Sequence, residues 1–173
     1  MSGIETLGLL LHAIAQGEGE TVAGLSRRLD LPRASLFDLA ARLERAELIE
    51  RDAAGRVLPG AACGRLGFAA LGLAPLYPLA EALLPALRDD TDATTSLSAV
   101  GEDGERLLMQ RRAPWDIGQE TVRLERAIAG SNGPAVAVLR LNLRPRAEAA
   151  ERSSAAACLD RVALRFEAAL EGG

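Results

Sequence analysis

Arg33, Ser35, Asp38 and Arg42 are the residues whose types and spacing most suggest chemistry. They lie off an apolar stripe of Leu36, Leu39, Ala40 and Leu43, so a single helix would carry them on its solvent edge. Guanidinium forks, a hydroxyl and a carboxylate along one helix edge can hydrogen-bond the edges of base pairs, and the DNA major groove admits one helix. Asp38 has two uses there: it can accept from a cytosine amino group, or it can pair with Arg42. Arg51 and Arg56 flank a short turn downstream, where guanidinium groups would hold phosphates or reach a minor groove. Thr21 and Arg27 belong to the preceding helix and are candidates for backbone contact. Arg27 and Arg28 read equally well as a solvated face.

No catalytic constellation accompanies these residues. His12 is the only histidine, and no acid–base partner stands near it in the chain. The glycines are scattered rather than gathered into a phosphate loop, and there is no nucleophile elbow. Cys63 and Cys158 lie far apart without a CxxC pattern, which fits two thiols in a reducing compartment better than a metal site or a disulfide. The expectation is no catalytic residue, no metal and no cofactor.

The elements that must position the polar edge are legible from apolar spacing. Ile4, Leu7, Leu11 and Ile14 form one stripe of a first helix, ended by Gly17 and Gly19. Thr21 is a good N-cap for a second helix through Val22, Leu25 and Leu29. Asp30-Leu31-Pro32 breaks the chain, and Pro32 suits the start of a third helix because its missing N–H costs nothing there. Leu48 to Arg51 and Arg56 to Leu58 read as two strands joined by the turn Asp52 to Gly55. Three helices and a ribbon of this length make one small core only when packed together.

The remainder reads as α+β. Ala61 to Leu71 is expected to be a connecting helix and Leu76 to Leu87 another, with Leu79, Leu83 and Leu87 on one side. Thr94 to Val100 and Arg106 to Gln110 form a hairpin through Gly101-Glu102-Asp103-Gly104. Thr121 to Ile128 fits either helix or strand. Ala135 to Leu143 alternates as a strand, opened by Asn132-Gly133-Pro134, and Glu148 to Leu170 reads as a long closing helix. The expected boundaries are a head over 1–59, a linker helix over 60–72 and an α+β domain over 73–173. The apolar faces between Leu66 and Leu83 are candidate dimer surfaces.

Composition bounds these readings. The chain has 173 residues and a net charge of −4, and all 20 of its cationic residues are arginine. That balance argues against a polybasic or membrane-surface protein. The charge is uneven, with eight arginines against six acids over 21–72 and twelve against fifteen over 73–173. No signal peptide is expected. The apolar run Leu66 to Leu87 is interrupted by Pro75, Pro78 and Pro85, so soluble helices explain it better than a membrane span.

The segment Leu31-Pro32-Arg33-Ala34-Ser35-Leu36-Phe37-Asp38-Leu39, followed by Leu43 to Asp52, resembles the recognition helix and wing of the IclR family of bacterial transcriptional regulators. Thr94 to Arg112 resembles the first hairpin of that family's GAF-like effector domain. Arg126-Ala127-Ile128-Ala129 with Gly133 to Leu139 resembles its last strands. The resemblance implies a winged helix-turn-helix joined by a linker helix to a small GAF-like domain with an antiparallel sheet. It implies a cytoplasmic DNA-binding regulator, such as a repressor, that meets double-stranded DNA as a homodimer or higher oligomer. It also implies a small organic acid as effector, with Ser96, Ser98, Met109 and Trp115 as candidate contacts. The chain departs from the family at Phe37 and Asp38, which replace a basic or polar pair, and at Glu47, which replaces a glycine. It also lacks a large middle part of the effector domain, where the ligand-pocket loops lie. Two other classes fit the same residues: a winged-helix adaptor that binds protein rather than DNA, and a small-molecule sensor in which the second domain is primary.

Overall fold

The computed structural model describes residues 3–16, 20–130 and 133–172. The expected helix stop at Gly17 and Gly19 and the strand opening at Asn132 lie outside those residues. The chain divides into two compact units, Met1–Leu66 and Gly67–Gly173.

The first unit holds α1 (Gly3–Ala15), α2 (Val22–Arg28), α3 (Arg33–Arg45), β1 (Ile49–Arg51) and β2 (Val57–Pro59). Leu10, Ala13, Ile14, Val22, Leu25, Leu36, Ala40, Leu43, Ile49 and Val57 form its core. Each of the three helices contributes one stripe, as the 3.6-residue period requires. β1 and β2 pair antiparallel, and Thr21 bridges to Arg56 so that the chain before α2 extends the ribbon.

The joints on either side of α3 are two copies of one device. After α2, the Asp30 amide bonds to the Arg27 carbonyl and the Leu31 amide to the Ser26 carbonyl. After α3, the Glu47 amide bonds to the Glu44 carbonyl and the Leu48 amide to the Leu43 carbonyl. This paired pattern terminates a helix by turning one residue left-handed. Asp30 takes φ 51° and Glu47 takes φ 56°. A left-handed residue with a Cβ is strained by roughly 1–2 kcal/mol. Among the described residues, Glu47 is compensated by an exposed ion pair, with Arg65 Nη2 donating to Glu47 Oε2 at 2.6 Å. Such pairs contribute only about 0–1 kcal/mol. Glu47→Gly is therefore expected to stabilise the first unit by about 1 kcal/mol, read as a rise in melting temperature. A lowered melting temperature would show that the ion pair outweighs the strain.

α4 (Ala61–Ala70) runs across the division between the units. The second unit continues with α5 (Leu76–Thr91), β3 (Thr94–Gly101), β4 (Gly104–Arg111), β5 (Val122–Ala129), β6 (Ala135–Leu143) and α6 (Ala149–Glu171). Its strands form one antiparallel sheet in the order β4-β3-β6-β5. The ambiguous stretch from Thr121 is thus an edge strand. Leu97, Ala99, Ile128, Ala137, Leu139 and Leu141 share a core with Leu84 and Leu87 of α5 and Leu159, Ala163 and Phe166 of α6. Thr95 Oγ1 ties β3 to α5 by donating to the Leu84 carbonyl at 3.0 Å. α6 opens on a capping box in which Glu148 and Glu151 satisfy each other's backbone amides.

The expected dimer faces between Leu66 and Leu83 are mostly interior. Leu76 of α5 is buried in the core shared with the sheet, Leu73 joins that core from before the helix, and Leu83 is buried as well. Leu66 and Leu71 stay exposed.

Candidate nucleic-acid interface

α3 presents the polar edge that the sequence suggests. Its buried stripe is Leu36, Ala40 and Leu43. Ser35, Asp38, Arg42 and Arg45 are all exposed, and their spacing puts them along one edge opposite that stripe. Ala34 and Ala41 lie alongside that row, also exposed. Small residues there let a helix backbone come close to a groove floor. Arg45 extends the row beyond the residues that the sequence suggests, and its helical spacing from Asp38 and Arg42 is the signal that would find it. It has no ion pair among the described residues.

α3 begins with Pro32 at its N-cap, which supplies no side-chain cap. The first hydrogen bond of the helix is the Leu36 amide to the Pro32 carbonyl, at 3.0 Å. The first-turn amides near Arg33 and Ser35 are thus free for solvent or a phosphate oxygen. Arg33 is exposed at this end, and its guanidinium carbon lies 5.4 Å from the centroid of the Phe37 ring.

Most other cations of the head are already paired. Arg42 Nη1 lies 3.8 Å from Asp38 Oδ2, with both groups largely exposed. Arg51 Nε reaches Glu44 Oε1 at 2.9 Å, which ties β1 to α3. Arg56 Nε donates to Asp52 Oδ2 at 2.6 Å. Asp52 Oδ1 also accepts from the amides of Ala54 and Arg56, both at 2.9 Å. The Arg56 amide and then its side chain hold the Asp52 carboxyl below its ordinary range. Arg28 pairs with Glu20 at 3.3 Å. Arg27 is exposed and has no ion pair among the described residues. Thr21 Oγ1 caps α2 by accepting from the Gly24 amide at 3.2 Å.

The second unit does not gather its four candidate effector contacts into one site. Cross-strand register places Met109 opposite Leu97, on the core face of the sheet. Ser96 and Ser98 lie on the opposite face. Ser98 Oγ accepts from Arg140 Nη1 at 3.3 Å, and Arg140 is also bound by Glu125 at 2.9 Å and by Glu105. Those carboxylates, Glu105 foremost, push the Arg140 guanidinium above its ordinary range. Trp115 sits in the loop after β4 and donates from Nε1 to the Asp92 carbonyl at 2.7 Å. Its neighbour Asp116 accepts from Thr94 Oγ1 at 2.6 Å, and this bond first of all holds the Asp116 carboxyl below its ordinary range.

A cavity of about 500 Å³ opens elsewhere in the unit, beside the β3–β4 turn, among Leu73, Val100, Val136 and Leu170. Its charged lining is Glu102, Asp103 and Arg106, and Arg106 already donates to Asp103 at 2.7 Å. No group of three or more potential metal ligands occurs among the described residues. No described helix is long and apolar enough to cross a membrane.

A three-helix head with a ribbon, and a reading helix whose polar edge is exposed, defines a winged helix-turn-helix protein. Residues 8–53 match the IclR helix-turn-helix domain, so the head is of that type. No curated protein matches the chain. Among solved structures, the Thermotoga maritima IclR is similar at 12% identity, over 97% of this chain and 98% of that one, with a TM-score of 0.56. Pseudomonas aeruginosa HmgR is similar at 13% identity, over 96% and 98%, with a TM-score of 0.55. An IclR homolog from Microbacterium hydrocarbonoxydans, complexed with 4-hydroxybenzoate, is similar at 12% identity, over 89% and 92%, with a TM-score of 0.50. At such identities the likeness establishes the fold, which is that of IclR-family regulators over nearly the whole chain. The domain match and the fold together support a DNA-binding transcriptional regulator with an IclR-type head.

Proposed function

We propose that this protein binds an operator in duplex DNA as a homodimer in the cytoplasm and acts there by occupancy, without catalysis. The observation that carries this reading is the exposed edge of α3, with Ser35, Asp38, Arg42 and Arg45 in one row and Arg33 at its N-terminal end. A row of donors and acceptors on a helix that fits the major groove can read base edges. Arg33, Ser35 and Arg42 take the groove, with Asp38 beside Arg42. Arg27, Thr21, Arg51 and Arg56 lie where the flanking backbone passes. Arg51 and Arg56 must exchange Glu44 and Asp52 for phosphates, so Arg27, which has no such partner among the described residues, is the readier phosphate contact of the three. One small head makes few base contacts, and two on a pseudo-palindrome give useful affinity.

A small organic acid is a poor fit to the cavity beside the β3–β4 turn. Two carboxylates line it against one guanidinium, and Asp103 already engages that guanidinium. The regulatory reading therefore rests on the head.

A gel-shift series on random-sequence and genomic duplexes tests it. Binding at low salt is expected to fall steeply as salt rises, because each phosphate contact releases condensed counterions. No shift at low salt would overturn the reading in favour of a winged-helix adaptor that binds protein.

A further inference from the structure

Arg33 differs from the other cations of the reading helix and wing in what it touches. Arg42, Arg51 and Arg56 each face a carboxylate, and Arg45 has neither an ion pair nor a ring partner among the described residues. Arg33 makes no hydrogen bond or ion pair among the described residues, and its guanidinium instead stands over the Phe37 ring. Phe37 follows it by one helical turn, on the same flank of α3. The ring is half-buried and packs against the head core, so it is an anchored platform rather than a second mobile side chain.

We propose that Phe37 is a positioning residue for sequence readout, holding the Arg33 guanidinium ready for a guanine at the N-terminal end of α3. The inference rests on the DNA-binding reading above and deepens it. Attraction to the face of a ring leaves all five guanidinium N–H groups free. A carboxylate partner would occupy some of them and would have to be displaced before a base could be met. Holding a long side chain in place beforehand lowers the ordering cost of binding. Guanine is the base that matches, because its O6 and N7 offer two acceptors to the fork. Phe37 is thus part of the reading apparatus, although it donates no hydrogen bond itself.

The test uses the full chain and a duplex selected by it from a random-sequence pool. The relevant guanine is the one whose replacement by adenine no longer costs affinity once Arg33 is alanine. Phe37→Leu keeps an apolar body and removes the ring. It is expected to weaken binding to the selected duplex by about two- to fivefold, and to reduce discrimination against adenine at that position by the same factor. Phe37→Met, which also lacks a ring, must behave alike, and Phe37→Tyr must retain wild-type discrimination. In the Arg33→Ala background, Phe37→Leu should change nothing further, because the ring acts through Arg33. If Phe37→Leu weakens binding equally with and without Arg33, or leaves discrimination intact, the proposal is overturned while DNA binding stands. If the wild-type chain binds no duplex at low salt, the underlying reading falls and this inference with it.

Discussion

Gly60→Ala is expected to unfold the head while leaving the second unit folded. A Cβ at this position would lie 2.8 Å from the carbonyl carbon of Glu47 and closer still to its oxygen. Both neighbours are backbone, so no side chain can rotate away. They are also pinned: the Gly60 amide bonds to the Leu48 carbonyl at 3.0 Å and the Ala62 amide to the Glu47 carbonyl at 2.9 Å. The Cys63 thiol donates to the same Leu48 carbonyl at 3.1 Å. Relief therefore requires separating the end of β2 from the turn after α3, which holds the wing against the reading helix. Forcing extra volume into such a site typically costs about 1–3 kcal/mol, and a clash of backbone with backbone belongs at the upper end. For a unit this small that is a large share of its stability. Amide exchange resolved by residue is the measurement, with protection lost across the first unit and kept in β3, β6 and α6. Wild-type protection in α3 would show that the turn can move after all.

That close approach is not legible in the sequence, where Gly60 reads only as the end of a ribbon. A contact between residues on either side of a hairpin is set by tertiary register, which local spacing does not encode. The helices are legible for the opposite reason, since their apolar stripes are local and periodic. The cap of α2 is legible too, since Thr21 opens that helix as its type suggests. β5 is ambiguous because it is an edge strand in which Arg123, Glu125 and Arg126 interrupt the apolar residues, so periods of 2 and 3.6 fit about equally well.

The candidate sites divide in the same way. The polar edge of α3 follows from one helix and its own stripe: Ser35, Asp38 and Arg42 share it as the spacing requires, while Arg33 stands on the flank that carries Phe37. The four effector candidates needed the register of a hairpin. Between Leu97 and Ser98 the pairing of β3 with β4 shifts, with Met109 opposite Leu97 and Leu107 opposite Ser98. Leu108 is the extra residue of that bulge, and it breaks the alternation by which Met109 would share the face of Ser96 and Ser98. The carboxylate partners of Arg51 and Arg42 illustrate a similar divide. Asp38 pairs with Arg42 within one helix and could be foreseen, whereas Glu44 reaches Arg51 only because the ribbon folds back on α3.

Arg33→Ala should have the largest effect on binding of any change at the reading helix. Its guanidinium carries no hydrogen bond or ion pair among the described residues, so truncation removes only its stacking on the Phe37 ring. It stands at the N-terminal end of α3, the end from which helix-turn-helix proteins contact base edges. A well-placed arginine fork on guanine is worth about 1–3 kcal/mol of discrimination, roughly a 5- to 150-fold loss for each half-site. A dimer should lose that amount twice. The melting temperature should fall by no more than a few degrees, because the exposed side chain gives up only its contact with the Phe37 ring. The salt dependence separates this role from simple charge attraction. If Arg33 meets a base, the slope of affinity against salt is unchanged by its removal and discrimination at one position collapses. If it only holds a phosphate, the slope falls by about one for each phosphate no longer neutralised, and discrimination persists. Arg27→Ala, at an exposed cation of the preceding helix with no ion pair among the described residues, is the internal control and should give that second pattern. An Arg33→Ala chain that binds and discriminates like wild type would remove the N-terminal end of α3 from the interface. The reading of the groove would then have to move to Arg42 and Arg45.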